Sequence, residues 1–238
     1  MQTQRHLNGV RVAITGGTSG LGLALVKELR KRGADVAFVA RTEARVAVVA
    51  SEAAAHGIVG DVSNKNDIHR IALQATGMLG GVDVLVNNAS DLGPIPLVPL
   101  GDTQCEEFER VLATNVLGPF RLTRALLGSL AASAREGRGS LVVNVSSDAA
   151  VSAYPQWGAY GASKAALAHM TRIWNEELSA QGVRFVAIDP GDMDTPMHAA
   201  ALPDSDPATL KSPATAAHEL AETICDLLPA RAALRYAS

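Results

Sequence analysis

"VRVAITGGTSGLGLALVKELRKRG", Val10 to Gly33, decides how the rest of the chain is read. Val10–Thr15 is rich in β-branched residues and reads as a strand. Gly16, Gly20 and Gly22 then impose a sharp turn, because glycine alone enters left-handed backbone cheaply. The pattern from Gly22 onward is that of a helix, closed by Gly33, with Lys and Arg in its last turn where the helix dipole favours cations. Such a strand, turn and helix bring the helix N-terminus up to the turn, where a pyrophosphate can rest.

The alternation continues along the chain. Strands are expected at 35–41, at "GIVG" (57–60), at 82–89, at "GSLVVNVSS" and at "VRFVAIDPG". Helical patterns run over roughly 43–55, from an N-cap at Ser63 to about Leu79, over 103–134, 159–180 and 213–228. Gly118 and Pro119 should bend or divide the long 103–134 helix. The proline-rich stretch 93–100 is too broken for either element. The strands are near-continuous apolar runs, as a parallel sheet covered on both faces requires. The expected fold is α/β, a single-domain doubly wound parallel sheet of six to seven strands over residues 1–238. Its substrate loops would lie at about 90–102, 148–159 and 191–212.

Composition narrows the class. Of 238 residues 47% are hydrophobic but only 4% aromatic, so the interior must be built from Ala, Val and Leu. A net charge of −3 gives no reason to expect nucleic acid or an anionic membrane as partner. No segment reaches the length of apolar run that spans a bilayer, and a cytoplasmic location is expected. Cys105 and Cys225 lack metal-ligand spacing, so reduced thiols and no metal site are expected.

The chemistry is carried by Val145–Leu167, "VSSDAAVSAYPQWGAYGASKAAL". Tyr160 and Lys164 are four apart on an expected helix and so share one face. An ammonium beside a phenol favours the phenolate and should lower the tyrosine's pKa toward a usable range. Ser147 lies at the carboxyl end of the fifth strand, where open α/β sheets bind ligands, and its hydroxyl could hold a carbonyl oxygen.

These segments together resemble the short-chain dehydrogenase/reductase family. The glycine turn has that family's T-G-x-x-x-G-x-G spacing, and Ser147, Tyr160 and Lys164 match its S-x(12)-Y-x-x-x-K arrangement. "NNAS" (87–90) is similar to the family's N-N-A-G, with Ser90 departing from glycine. The resemblance implies that Asn87 stabilises the sheet and that Asn88 and Ala89 border the cofactor. It makes Asn115 a fourth catalytic residue, at a helix distortion, linked through water to Lys164 in a proton relay. Lys164 would also bond the nicotinamide ribose. Asp61 and Val62 would hold the adenine, Pro190, Gly191 and Met193 would flank the nicotinamide, and Thr195 would bind its carboxamide. Gly16, Thr18, Ser19, Gly20, Leu21 and Gly22 would cradle the phosphates.

Members selective for NAD usually end the second strand with an acid; here Ala40 and Arg41 stand there. A guanidinium binds a 2′-phosphate through charge-assisted hydrogen bonds. NADPH/NADP+ is therefore the expected cofactor, with Arg41 as main selector and Thr42 and Ser19 as lesser ones. Leu92, Ile95, Tyr154, Trp157, Met193, Met197 and His198 would form a mostly apolar substrate wall.

The expected function is reduction of a ketone or aldehyde, reversible as alcohol oxidation. Imine or pterin-type reduction and a non-catalytic dinucleotide-binding subunit are the alternatives. The chain lacks the family's "DGG" tail, though 231–236 could form a seventh strand. Association into a homodimer or homotetramer is expected through the alanine-rich helices at 103–134 and 159–180.

Overall fold

The computed structural model describes residues 6–229. Its strands are β1 (Arg11–Thr15), β2 (Asp35–Ala40), β3 (His56–Val59), β4 (Val84–Asn87), β5 (Ser140–Val145) and β6 (Val183–Ile188). The helices are α1 (Gly20–Lys31), α2 (Glu43–Ala53), α3 (Ile68–Leu79), α4 (Cys105–Leu112), α5 (Gly118–Arg135), α6 (Gly158–Leu178), α7 (Pro196–Ala201) and α8 (Pro213–Leu227). One open, wholly parallel sheet results, ordered β3-β2-β1-β4-β5-β6. The expected seventh strand falls outside the described residues.

The apolar strands explain why both faces are covered. Val12, Ile14, Val36, Phe38, Val84, Val86, Leu141 and Val143 pack against α1, α2 and α8. Ala13, Val39, Leu85 and Val142 point the other way, against α3, α5 and Trp174 of α6. All six residues of β5 are buried. Each buried Val, Leu or Ile contributes roughly 2 kcal/mol of transfer free energy, so the two layers dominate the fold's stability.

Pairs of buried polar groups register the layers. Asn87 Nδ2 donates to Asn144 Oδ1 at 2.8 Å, and Asn144 Nδ2 donates to Thr171 Oγ1 at 2.8 Å, tying β4, β5 and α6 together. Asp83, with no exposed side-chain surface, accepts from Arg11, Arg138 and Ser133. Burial would raise its pKa, but those hydrogen bonds outweigh it and hold the carboxyl down at about 2. Arg32 is equally buried; it bonds Glu28 of α1 at 2.7 Å and joins that helix to α8 through Glu222 at 2.5 Å and His218 at 2.9 Å.

Sequence expectation and structure differ in three places and agree in a fourth. The first helix begins at Gly20 rather than Gly22. Ser63 does not cap α3: its N–H and hydroxyl donate to Asp61 Oδ1 at 2.9 and 2.7 Å, closing a tight turn, and α3 starts five residues later after Asp67. The long 103–134 helix divides, as expected, into α4, a π-helical turn at Ala113–Leu117 and α5. Pro119 is the cause, since it has no N–H to offer the Asn115 carbonyl four residues back. Helix α7 was not expected; Thr195 Oγ caps it by accepting from His198 N at 3.2 Å.

Candidate active site

The strand order reverses direction between β1 and β4, and a cleft of about 890 Å³ opens at the carboxyl ends of the strands there. Every cofactor- and substrate-lining residue expected from sequence borders it: Gly16, Thr18, Ser19, Gly20, Leu21, Gly22, Arg41, Thr42, Asp61, Val62, Asn88, Ala89, Leu92, Ile95, Tyr154, Trp157, Pro190, Gly191, Met193, Thr195, Met197 and His198. Ser147, Tyr160 and Lys164 border it too. Asn115 does not; it lies beneath, only 1% exposed.

The floor of one half is made of glycine for steric reasons. Gly16 takes φ +73°, and a side chain there would stand 2.9 Å from Asn88 Nδ2. A Cβ on Gly22 would overlap the Gly16 carbonyl oxygen. Thr15 Oγ1 accepts from the N–H groups of Asn88 and Ala89, both at 3.0 Å, and so fixes this turn against the end of β4. The bare turn at the N-terminus of α1, with no acid in its first turn, suits a pyrophosphate. Asp61 lies along the same half, and Arg41 forms its rim together with Arg45. These residues fit a nicotinamide dinucleotide.

The other half holds the reactive groups. Tyr160 and Lys164 lie one turn apart on α6, 8% and 2% exposed, with the Lys164 nitrogen 5.4 Å from the tyrosine ring centroid. Lys164 Nζ donates to the Val145 carbonyl at 2.8 Å. Burial lowers the Lys164 pKa to about 8, against the opposing pull of the Asp189 carboxylate. Burial likewise pushes the Tyr160 phenol up to about 12; hydroxyls of Ser147 and Ser90 oppose this, while Asp189 and Asp148 add to it. This corrects the expectation that Lys164 lowers the tyrosine: desolvation disfavours both charged forms and dominates at this depth. Tyr160 is therefore a neutral O–H donor.

Asn115 is fully engaged. Its Nδ2 donates to the Asp91 carbonyl at 2.8 Å and to Ser163 Oγ at 2.9 Å, and its Oδ1 accepts from Asp91 N at 2.8 Å. It thus holds the loop after β4 against α6, beside Tyr160. Segment 190–194 is anchored from behind, where Lys211 Nζ donates to the Pro190 carbonyl at 3.1 Å and to Glu219 at 2.6 Å.

Three lining features escaped the sequence reading. Arg45 lies four residues after Arg41, a helical spacing that could have suggested it. Asp91 pairs with Arg110 at 2.9 Å, a contact made only when the loop folds onto α4. Asp148, the neighbour of Ser147, accepts from Ser147 Oγ at 3.0 Å and from Tyr154 OH at 2.7 Å.

Comparison with known proteins agrees with this geometry. The family model for short chain dehydrogenases matches residues 11–206. A short chain dehydrogenase of Pseudocercospora fijiensis is 34% identical over 203 residues, covering 82% of this chain and 63% of that protein. The chain thus matches less than two thirds of that relative's length. The crystal structure of a 3-ketoacyl-(acyl-carrier-protein) reductase from Brucella melitensis, complexed with NADH, superposes with TM-score 0.85 at 32% identity, covering 92% of this chain and 91% of that one. A short chain dehydrogenase from Shigella flexneri 2a, complexed with NADP, gives TM-score 0.82 at 29% identity over 89% of both chains. The chain belongs to the short-chain dehydrogenase/reductase family of oxidoreductases. Among the described residues no helix is long and apolar enough to cross a membrane.

Proposed function

We propose that the chain is an NADPH-dependent reductase of ketones or aldehydes, acting in reverse as an alcohol dehydrogenase. The observation that carries this reading is the convergence of Ser147, Tyr160 and Lys164 at one end of a glycine-floored cleft whose other end is rimmed by Arg41 and Arg45. The dinucleotide, when bound, supplies the hydride to the carbonyl carbon. Tyr160 gives its phenolic proton to the carbonyl oxygen as negative charge develops there. Ser147 turns its hydroxyl toward the same oxygen and stabilises that charge. Lys164 keeps a positive charge near the phenol and would help hold the ribose of a bound dinucleotide. Asn115 maintains the relay behind them by fixing the loop after β4 against α6.

NADPH is preferred over NADH because Arg41 is exposed at the rim, no acid stands at Ala40, and Arg45 adds a second cation one turn on. The wall of Leu92, Ile95, Trp157 and Met197 favours a mid-sized, largely apolar substrate. The protein works in the cytoplasm, with its two cysteines free, as a single domain within a homodimer or homotetramer. The apolar surfaces of Leu117 and Ile173, 41% and 46% exposed on the helices expected to associate, support that assembly. Light scattering at micromolar concentration should give a multiple of the chain mass.

The functional test is NADPH oxidation against a panel of ketones, aldehydes, β-ketoesters and cyclic imines. Turnover confined to carbonyls supports the reading, and turnover confined to imines replaces it.

A further inference from the structure

The loop between β5 and α6 folds back on itself so that Tyr154, seven residues beyond Ser147, returns to the cleft. Its hydroxyl donates to Asp148 Oδ2 at 2.7 Å, and Asp148 Oδ1 accepts from Ser147 Oγ at 3.0 Å. A carboxylate is thereby clamped from both sides within one hydrogen bond of the serine assigned to hold the reacting oxygen. Asp148 nonetheless remains exposed to the cleft.

This arrangement has a consequence when a carbonyl oxygen binds. Ser147 has a single proton, and it must leave Asp148 to reach that oxygen. Asp148 Oδ1 then lacks its donor in a space that the substrate itself occupies. Tyr154 still holds the other carboxylate oxygen, and a donor at the adjacent substrate carbon takes the place that the serine leaves. The distances permit this, because two hydrogen bonds of about 2.8 Å meeting at Ser147 bring the carbonyl's neighbouring substituent within reach of Asp148.

The surrounding charges point the same way. Asp91 is neutralised by Arg110, but Asp189 and Asp192 also border this half, and Lys164, which lines it beside Ser147 and Tyr160, is buried. A carboxylate or phosphate next to the reacting carbon would face Asp148 across a short gap.

We infer that Asp148 is a specificity-determining residue, selecting substrates with a hydroxyl or amino donor on the carbon next to the reacting carbonyl and rejecting those with an anion there. This rests on the proposed carbonyl reductase reading, which it refines from "apolar ketone" to "ketone with an adjacent donor on an apolar body". Tyr154 is a positioning residue in the same device, holding the carboxylate where Ser147 can yield to it.

The test separates the two readings by using affinity as well as turnover. Dissociation constants are measured by calorimetry for α-hydroxyacetophenone, its methyl ether, acetophenone and phenylglyoxylate, on the full chain saturated with NADP+. The natural sequence should bind the α-hydroxy ketone at least tenfold more tightly than the methyl ether. Asp148→Ala and Asp148→Asn should bring that ratio within threefold, and Asp148→Asn should strengthen phenylglyoxylate binding. Tyr154→Phe should reduce the ratio partway. A ratio near one in the natural sequence, or one that persists in both Asp148 variants, overturns the assignment. NADPH oxidation with the same four compounds reports on the reductase reading by itself, since the affinity ratio does not depend on hydride transfer.

Discussion

The Lys164 ammonium lies 5.4 Å from the centre of the Tyr160 ring and bonds the Val145 carbonyl at the end of β5, so lysine, tyrosine and strand end form one buried unit. Burial splits their titrations, with Lys164 near 8 and Tyr160 near 12. Below pH 8 the lysine is charged and the phenol neutral; above it the positive charge is lost while the phenol keeps its proton. The expected outcome is that kcat/KM for carbonyl reduction at saturating NADPH declines as pH rises through about 8. A profile flat from about pH 6.5 to about 9.5 would show that the charge on Lys164 is not needed.

Selectivity for the phosphorylated cofactor should sit on two cations. Arg41→Ala should weaken NADPH binding by about tenfold to a hundredfold while leaving NADH binding within about threefold, as loss of a charge-assisted hydrogen bond implies. Arg45→Ala should do the same more weakly. Fluorescence titrations at two salt concentrations check this, and equal loss for both cofactors would assign the arginines to general surface charge.

The glycine floor makes a sharper steric prediction. Gly22→Val places a side chain on the Gly16 carbonyl oxygen and should abolish dinucleotide binding. Unchanged NADPH affinity in calorimetry would contradict the cradle.

Acid stability should depend on Asp83. Its folded pKa of about 2 lies below the ordinary 3.8, so its contribution is complete above about pH 4 and is lost as pH falls toward 2. The contribution amounts to about 2 kcal/mol at neutral pH. Asp83→Asn should lower Tm at pH 7 and flatten the fall of Tm between pH 4 and pH 2. Calorimetric scans across that range decide the matter, and parallel curves for the two proteins would exclude the assignment.

How much of this was legible beforehand follows from what local sequence encodes. The strand-turn-helix of Val10–Gly33, the parallel sheet and the spacing of Ser147, Tyr160 and Lys164 depend on short-range patterns, and they stood in the sequence. The division at Pro119 was legible for the same reason, since a missing N–H is a property of one residue. Ser63 misled because a serine before a helical pattern can cap that helix or bond a nearer carboxylate, and Asp61 two residues back is the closer acceptor. Helix α7 is six residues long, too short for a periodicity to show. The direction of the Tyr160 titration depends on depth of burial, which α6 acquires only by docking on the sheet. The Asp148–Tyr154 bond required the loop after β5 to double back, and nothing in the spacing of 148 and 154 announces that.

The most direct measurement of the central claim is NADPH binding and NADPH oxidation in Tyr160→Phe, compared side by side with the natural sequence on a carbonyl that the latter reduces. The variant keeps the ring in its pocket and removes only the proton that is transferred. Retained NADPH affinity with turnover reduced by about a thousandfold or more is the predicted result. Undiminished turnover in Tyr160→Phe would contradict the account, because the proton would then come from elsewhere.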